Sequence, residues 1–143
     1  DIVNVTRYYN RDERLGWDVF KISHHCSYTA LSNEKGEEKT TPVPEVKWLF
    51  EQGHEKGIFV STSDPIPDDD TIQPPHRQAA NYNKDVARSI DGEFKVTMEH
   101  PKESAPEPLV ITIDDSKATV KKGSMGAAGI ISTRHAPRAG RNQ

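Results

Sequence analysis

The most informative run of the chain is Asp18-Val19-Phe20-Lys21-Ile22-Ser23-His24-His25-Cys26-Ser27-Tyr28-Thr29-Ala30-Leu31-Ser32. A short strand over 18–23, with Phe20 and Ile22 on one face, runs directly into two adjacent histidines and then into hydroxyl side chains. A strand end is a rigid platform, so it can fix an imidazole within the tolerance that a metal ion needs. A His pair alone reads as one side chain capping the sheet edge and the other in solvent. The longer run carries more than that.

Outward from this run, the pattern is that of alternating helices and strands. Ile2, Val5, Tyr8 and Tyr9 have roughly helical spacing, and 12–16 reads as a turn. Residues 32–44 form a polar loop. Pro44 suits a first helical position before Glu45–Glu51, and Gly53 is a plausible end for that helix. Gly57–Thr62 is nearly continuous in apolar character and predicts a strand buried on both faces. After a second loop at 63–75, a helix is predicted from about His76 to Ser89, with Ala79, Ala80, Val86 and Ala87 on the packed side. Residues 94–99, 109–113 and 118–121 alternate as strands and read as a meander, with Asp114–Lys117 as a hairpin turn. The order implies an α/β fold, with a mixed sheet covered by helices.

Composition bounds the class. Only 33% of the 143 residues are hydrophobic, or about 39% with the 9 Gly added, against a usual ~45–50%. With 10 Pro, this suits one loop-rich domain or one that lacks part of its core. No apolar run approaches the ~18–20 residues of a membrane span, so no membrane partner is expected. Cys26 is alone, which excludes a disulfide scaffold and fits a reducing cytoplasm. The chain opens Asp1-Ile2-Val3-Asn4, without Met or a signal peptide, which reads as a processed or truncated product. The net charge of −3 is unevenly spread. Residues 1–115 hold 13 basic and all 22 acidic residues, and the remainder holds six basic residues. Residues 123–143 form a Gly/Ala/Arg-rich basic tail, separate from a body over 1–122. Such a tail packs on the acidic body, is solvated, or holds phosphate.

The run at 18–32 resembles the metallo-β-lactamase-fold hydrolases, in particular the branch of the DNA-uptake competence proteins. In that branch a strand of the type Asp-Val-Leu-Lys-Val ends in His-His-Gly-Ser and is followed by Ser and Thr. Cys26 departs from the pattern by replacing Gly. A thiol there adds a ligand, tightens the turn, or does nothing. The resemblance spans roughly residues 1–120. It is specific at 18–32 and topological elsewhere: Val46–Phe50, Gly57–Thr62 and Pro74-Pro75-His76 fall in the family's order.

The resemblance implies the C-terminal half of an αββα sandwich. It implies two divalent metal ions, zinc by preference and manganese as an alternative, that activate a hydroxide. By spacing, Asp1 resembles the bridging carboxylate. His24 is favoured as a ligand of the second metal because it directly continues the strand, and His25 is the alternative. Ser27 and Thr29 are expected to shape the substrate pocket, and His76 to guard its rim.

The family's His-x-His-x-Asp-His motif is absent from the chain. Two ligands do not make a hydrolytic zinc site. An N-terminal portion of the same protein, carrying that motif, is therefore the expected partner. The expected substrate is a phosphodiester or related ester, with nucleic acid or a nucleotide leading. The rivals are a non-catalytic partner-binding domain of the same fold, and a hydrolase of small esters, thioesters or lactams.

The remaining candidates read more plainly. His54 and His100 are expected in solvated turns or loops, and Asp68-Asp69-Asp70 in a solvated loop rather than a cation site. His135, between Arg134 and Arg138, belongs to the basic tail, with phosphate contact as the alternative. Gly123–Gly129 lacks the strand–turn–helix setting of a phosphate loop.

Overall fold

The computed structural model describes residues 2–121. Asp1, and with it the bridging-carboxylate expectation, lies outside them, as does the tail at 123–143. The chain is a mixed α/β fold. Helix α1 (Ile2–Tyr8) and a 3-10 turn (Asp12–Leu15) precede strand β1 (Trp17–Ile22). Helix α2 (Pro44–Phe50), strand β2 (Gly53–Ser61), helix α3 (Arg77–Ser89) and strand β3 (Glu93–Val96) follow. Strands β4 (Ile111–Ile113) and β5 (Ala118–Val120) close the described chain. Strands β1, β2 and β3 form a parallel sheet in that order, and β4–β5 form a separate antiparallel pair.

Sequential order in a parallel sheet places successive crossover helices on one face, and the aromatic packing follows this. Phe20, Phe59 and Phe94 align across the three strands. Phe50 of α2 meets Phe20 at 4.9 Å and Phe59 at 5.1 Å between ring centroids, and Tyr82 of α3 stacks on Phe50. Each such pair is worth about 0.5–1.5 kcal/mol beyond the area that it buries. On the other face of β2, Ile58 and Val60 are also buried, and β5 lies against this strand. The strand expected to be buried on both faces is so.

Trp17 anchors the start of the sheet. Its indole N–H donates to the Leu49 carbonyl at 3.1 Å, and its ring meets Phe59 edge-on. The ring lies close over two glycines. A Cβ on Gly53 would fall 2.4 Å from the ring, and one on Gly57 2.8 Å from it. Gly53 therefore does not end α2, as its position in the sequence suggests. It opens β2, paired with Trp17, because only a residue without a side chain fits beneath the indole.

The meander expectation is corrected. β3 pairs with β2 because Phe94 and Val96 bury there, and Thr97–Glu99 then coil into a 3-10 turn. Pro101, Pro106 and Pro108 lie between β3 and β4, and proline removes the donors that a ladder needs. β4 and β5 consequently pair only with each other, and the expected mixed sheet is two sheets. The hairpin turn lies where the sequence places it. The Asp114 carboxylate accepts from the backbone N–H of Ser116 at 2.9 Å and of Lys117 at 3.1 Å. Helix α1 forms, but Ile2, Val5, Tyr8 and Tyr9 are exposed and only Val3 on it is buried.

Candidate active site

The carboxyl ends of the three parallel strands open on one cleft of about 470 Å³, the usual place for ligands in open α/β sheets. His25 lines it from the segment after β1. Thr62, Ser63 and Asp64 line it from the segment after β2, and Thr97 and Met98 from the turn after β3. Pro74 and Pro75 wall it from the loop before α3.

His25 reaches this cleft because the backbone reverses abruptly. β1 stops at Ile22, so His24 does not continue the strand as expected. His24, His25 and Cys26 take φ values of 51°, 52° and 62°, three left-handed residues in succession. The Ser27 N–H closes the turn on the His24 carbonyl at 3.0 Å. Left-handed backbone costs about 1–2 kcal/mol per non-glycine residue, so the turn persists only because its surroundings hold it.

Cys26 is the anchor of the turn. Its side chain is fully buried in the core, its carbonyl accepts from the His76 N–H at 3.1 Å, and Asn83 Nδ2 donates to its sulfur at 3.6 Å. Burial pushes the Cys26 thiol up to about 11, against the opposing hydrogen bonds from Asn83 and Ser61 and the charge of Lys84. Of the alternatives for this residue, the structure shows the one that tightens the turn. The thiol packs in the core and is not part of the cleft lining.

The turn leaves the two histidines in different places. His24 is exposed and is not part of the cleft lining. His25 lines the cleft, and its Nδ1 lies 2.5 Å from the Thr62 carbonyl. A carbonyl only accepts, so Nδ1 donates, and in the neutral ring Nε2 keeps its lone pair. Metal-binding and proton-accepting histidines are held in this way, with the other nitrogen fixed by a backbone carbonyl.

The hydroxyls expected to shape the pocket have local work. Ser27 is buried. Its Oγ accepts from the Thr29 N–H at 3.3 Å and pairs with Thr29 Oγ1 at 2.9 Å, capping the 3-10 turn Tyr28–Ala30. His76 is 2% exposed, so it lies beneath the surface rather than at the rim, a correction to its expected position. It precedes the first turn of α3, and both its ring nitrogens are engaged.

Among the remaining candidates, His54 is exposed on β2 and meets Asp18 at 3.1 Å. Asp70 accepts from Lys35 Nζ at 2.6 Å, so the chain's own ammonium occupies this part of the acidic run. That hydrogen bond, with a second from Gln78, holds the Asp70 carboxyl below its usual range.

Asp64, Thr97 and Met98 were not legible as site residues. The available signal for Asp64 was its place just beyond the end of an apolar strand. Thr97 and Met98 were hidden by the strand expectation for 94–99. As donors for a metal, His25 suits the role by its tautomer, and Asp64 is an exposed carboxylate in the same lining. Among the described residues no three His, Cys, Asp or Glu side chains gather closely enough to hold an ion between them. No helix among them is long and apolar enough to cross a membrane. Compared with models of known families, with curated proteins and with solved structures, the chain matches none.

Proposed function

We propose that the chain is the C-terminal portion of a metal-dependent hydrolase of the metallo-β-lactamase type, acting on a phosphodiester or related ester. One observation carries the reading. His25 is held at the carboxyl end of a parallel sheet, beside a cleft, with Nδ1–H bound to a backbone carbonyl and Nε2 free to ligate. His25, rather than His24, is then the ligand from this chain, and Asp1 is the bridging carboxylate. The remaining ligands come from a portion that bears His-x-His-x-Asp-His. When bound, the ions lower the pKa of a coordinated water into the neutral range. The chain's own contribution is to fix the imidazole and to form one wall of the cleft.

A second reading, a partner-binding domain of this fold without catalysis, is favoured by the exposed apolar residues Ile2, Val5 and Tyr8 on α1 and Tyr9 just after it. Metal analysis separates the two in a protein that includes the ligand-bearing portion. About two equivalents of zinc or manganese support the hydrolase, and none supports the binding domain. Phosphodiester and lactone substrates assayed in parallel identify the ester class. His25→Ala is expected to lower activity by more than the ~10–100-fold typical of outer-shell partners, while His24→Ala stays near wild type. The reverse order would overturn the assignment of His25.

A further inference from the structure

We infer that His76 is a positioning residue, which grips the chain just after the left-handed turn and so holds His25 facing the cleft with its Nε2 lone pair available. The inference rests on the reading of His25 as the ligand-presenting side chain.

His76 holds the chain at two points two residues apart. Its backbone N–H donates to the Cys26 carbonyl at 3.1 Å, and its Nδ1 accepts from the Tyr28 N–H at 3.4 Å. The acceptor role of Nδ1 places the ring proton on Nε2, which donates to the Ile72 carbonyl at 3.3 Å. The Tyr28 ring packs edge-on against the imidazole at 5.0 Å. The two histidines are thus held in opposite tautomers by backbone groups: His25 as Nδ1–H through Thr62, and His76 as Nε2–H through Ile72. His76 is buried, so it acts on the cleft through the turn and not by contact with a bound molecule. A hydrocarbon ring of similar size would fill its space but leave the Tyr28 N–H and the Ile72 carbonyl without this partner.

The test is ring ¹⁵N spectroscopy of the full chain. Wild type is expected to show His25 as Nδ1–H and His76 as Nε2–H. His76→Phe, which keeps the ring volume, is expected to erase the Nδ1–H preference of His25. His76→Asn, which keeps an acceptor close to where Nδ1 lies, is expected to restore it. In the protein that carries the remaining ligands, His76→Phe is expected to weaken zinc binding about 10-fold or more, within the range of outer-shell partners. If His76→Phe does not fold, His76→Leu takes its place, since it also carries no acceptor for the Tyr28 N–H.

An Nε2–H tautomer for wild-type His25 would overturn the inference. So would an unchanged His25 signature in a folded His76→Phe protein. A His25 tautomer that follows residue 76 in a protein that binds no metal upholds the positioning and overturns the hydrolase reading. Zinc bound equally well by wild type and folded His76→Phe does the reverse.

Discussion

Cys26 shows how a single side chain makes a strained turn tenable. Its φ of 62° is a conformation that glycine adopts without strain, yet the residue is a fully buried cysteine. The side chain contributes core packing that glycine could not, and this offsets part of the backbone cost. Burial raises its pKa from 9.0 to about 11, so at pH 8 the thiolate is about a hundred-fold scarcer than for an unperturbed thiol. Ellman's reagent is therefore expected to label Cys26 at least a hundred-fold more slowly in the native chain than in urea at pH 8. Equal rates would place the thiol in solvent. The His-His run itself is legible in the sequence. Which histidine lines the cleft is not, because strand alternation ends at Ile22 and the next side chains are aimed by left-handed backbone.

Among the elements, β1 and β2 depend on a match between a large residue and two absent side chains. Trp17 fills the space above Gly53 and Gly57, and it cannot retreat, because its ring is packed against Phe20 and Phe59 and its N–H is bonded to Leu49. Gly53→Ala is expected to destabilise the chain by about 1–3 kcal/mol, the usual cost of overfilling a packed site. Urea unfolding followed by tryptophan fluorescence measures it, and a change under ~0.5 kcal/mol would mean that the indole is mobile. Helix α3 was legible from Ala79, Ala80 and Ala87, which are buried as their spacing implies. Gln78 and Asn83 on the same helix were not, since they are polar side chains buried for their partners. Gln78 Nε2 donates to the Glu37 carbonyl and to Asp70, and Asn83 to the sulfur of Cys26.

Across the described residues, surface ion pairs tie the first long loop to α3 and the two long loops to each other. Lys35 meets Asp70 at 2.6 Å, Arg77 meets Glu38 at 2.7 Å, and Lys39 meets Asp85 at 2.7 Å. The Lys39 hydrogen bond, aided by the charge of Lys39 and by Arg88, holds the Asp85 carboxyl below its usual range, as Lys35 and Gln78 do for Asp70. A carboxyl whose pKa is lower folded than unfolded adds stability above the ordinary value near 3.8. That stability is lost as pH falls through the lowered one. The urea midpoint is therefore expected to drop between pH 5 and pH 3. Asp70→Asn with Asp85→Asn is expected to flatten that drop while lowering the midpoint at pH 7. A double variant with an unaltered pH profile would show these pairs to be idle.

The sequence by itself determined the element order, the doubly buried strand at Gly57–Thr62, the packed face of α3 and the hairpin turn at Asp114. Each follows from local periodicity or from side chain to backbone hydrogen bonds between near neighbours. Only the tertiary structure decided the rest. It separated β3 from β4, because the partner of a strand is set by which distant face it buries. It exposed the apolar residues of α1, placed Gly53 under Trp17, buried His76, and set His25 rather than His24 beside Asp64, Thr97 and Met98 in the cleft lining. These outcomes depend on contacts between residues far apart in the chain, where packing and burial outweigh local preference.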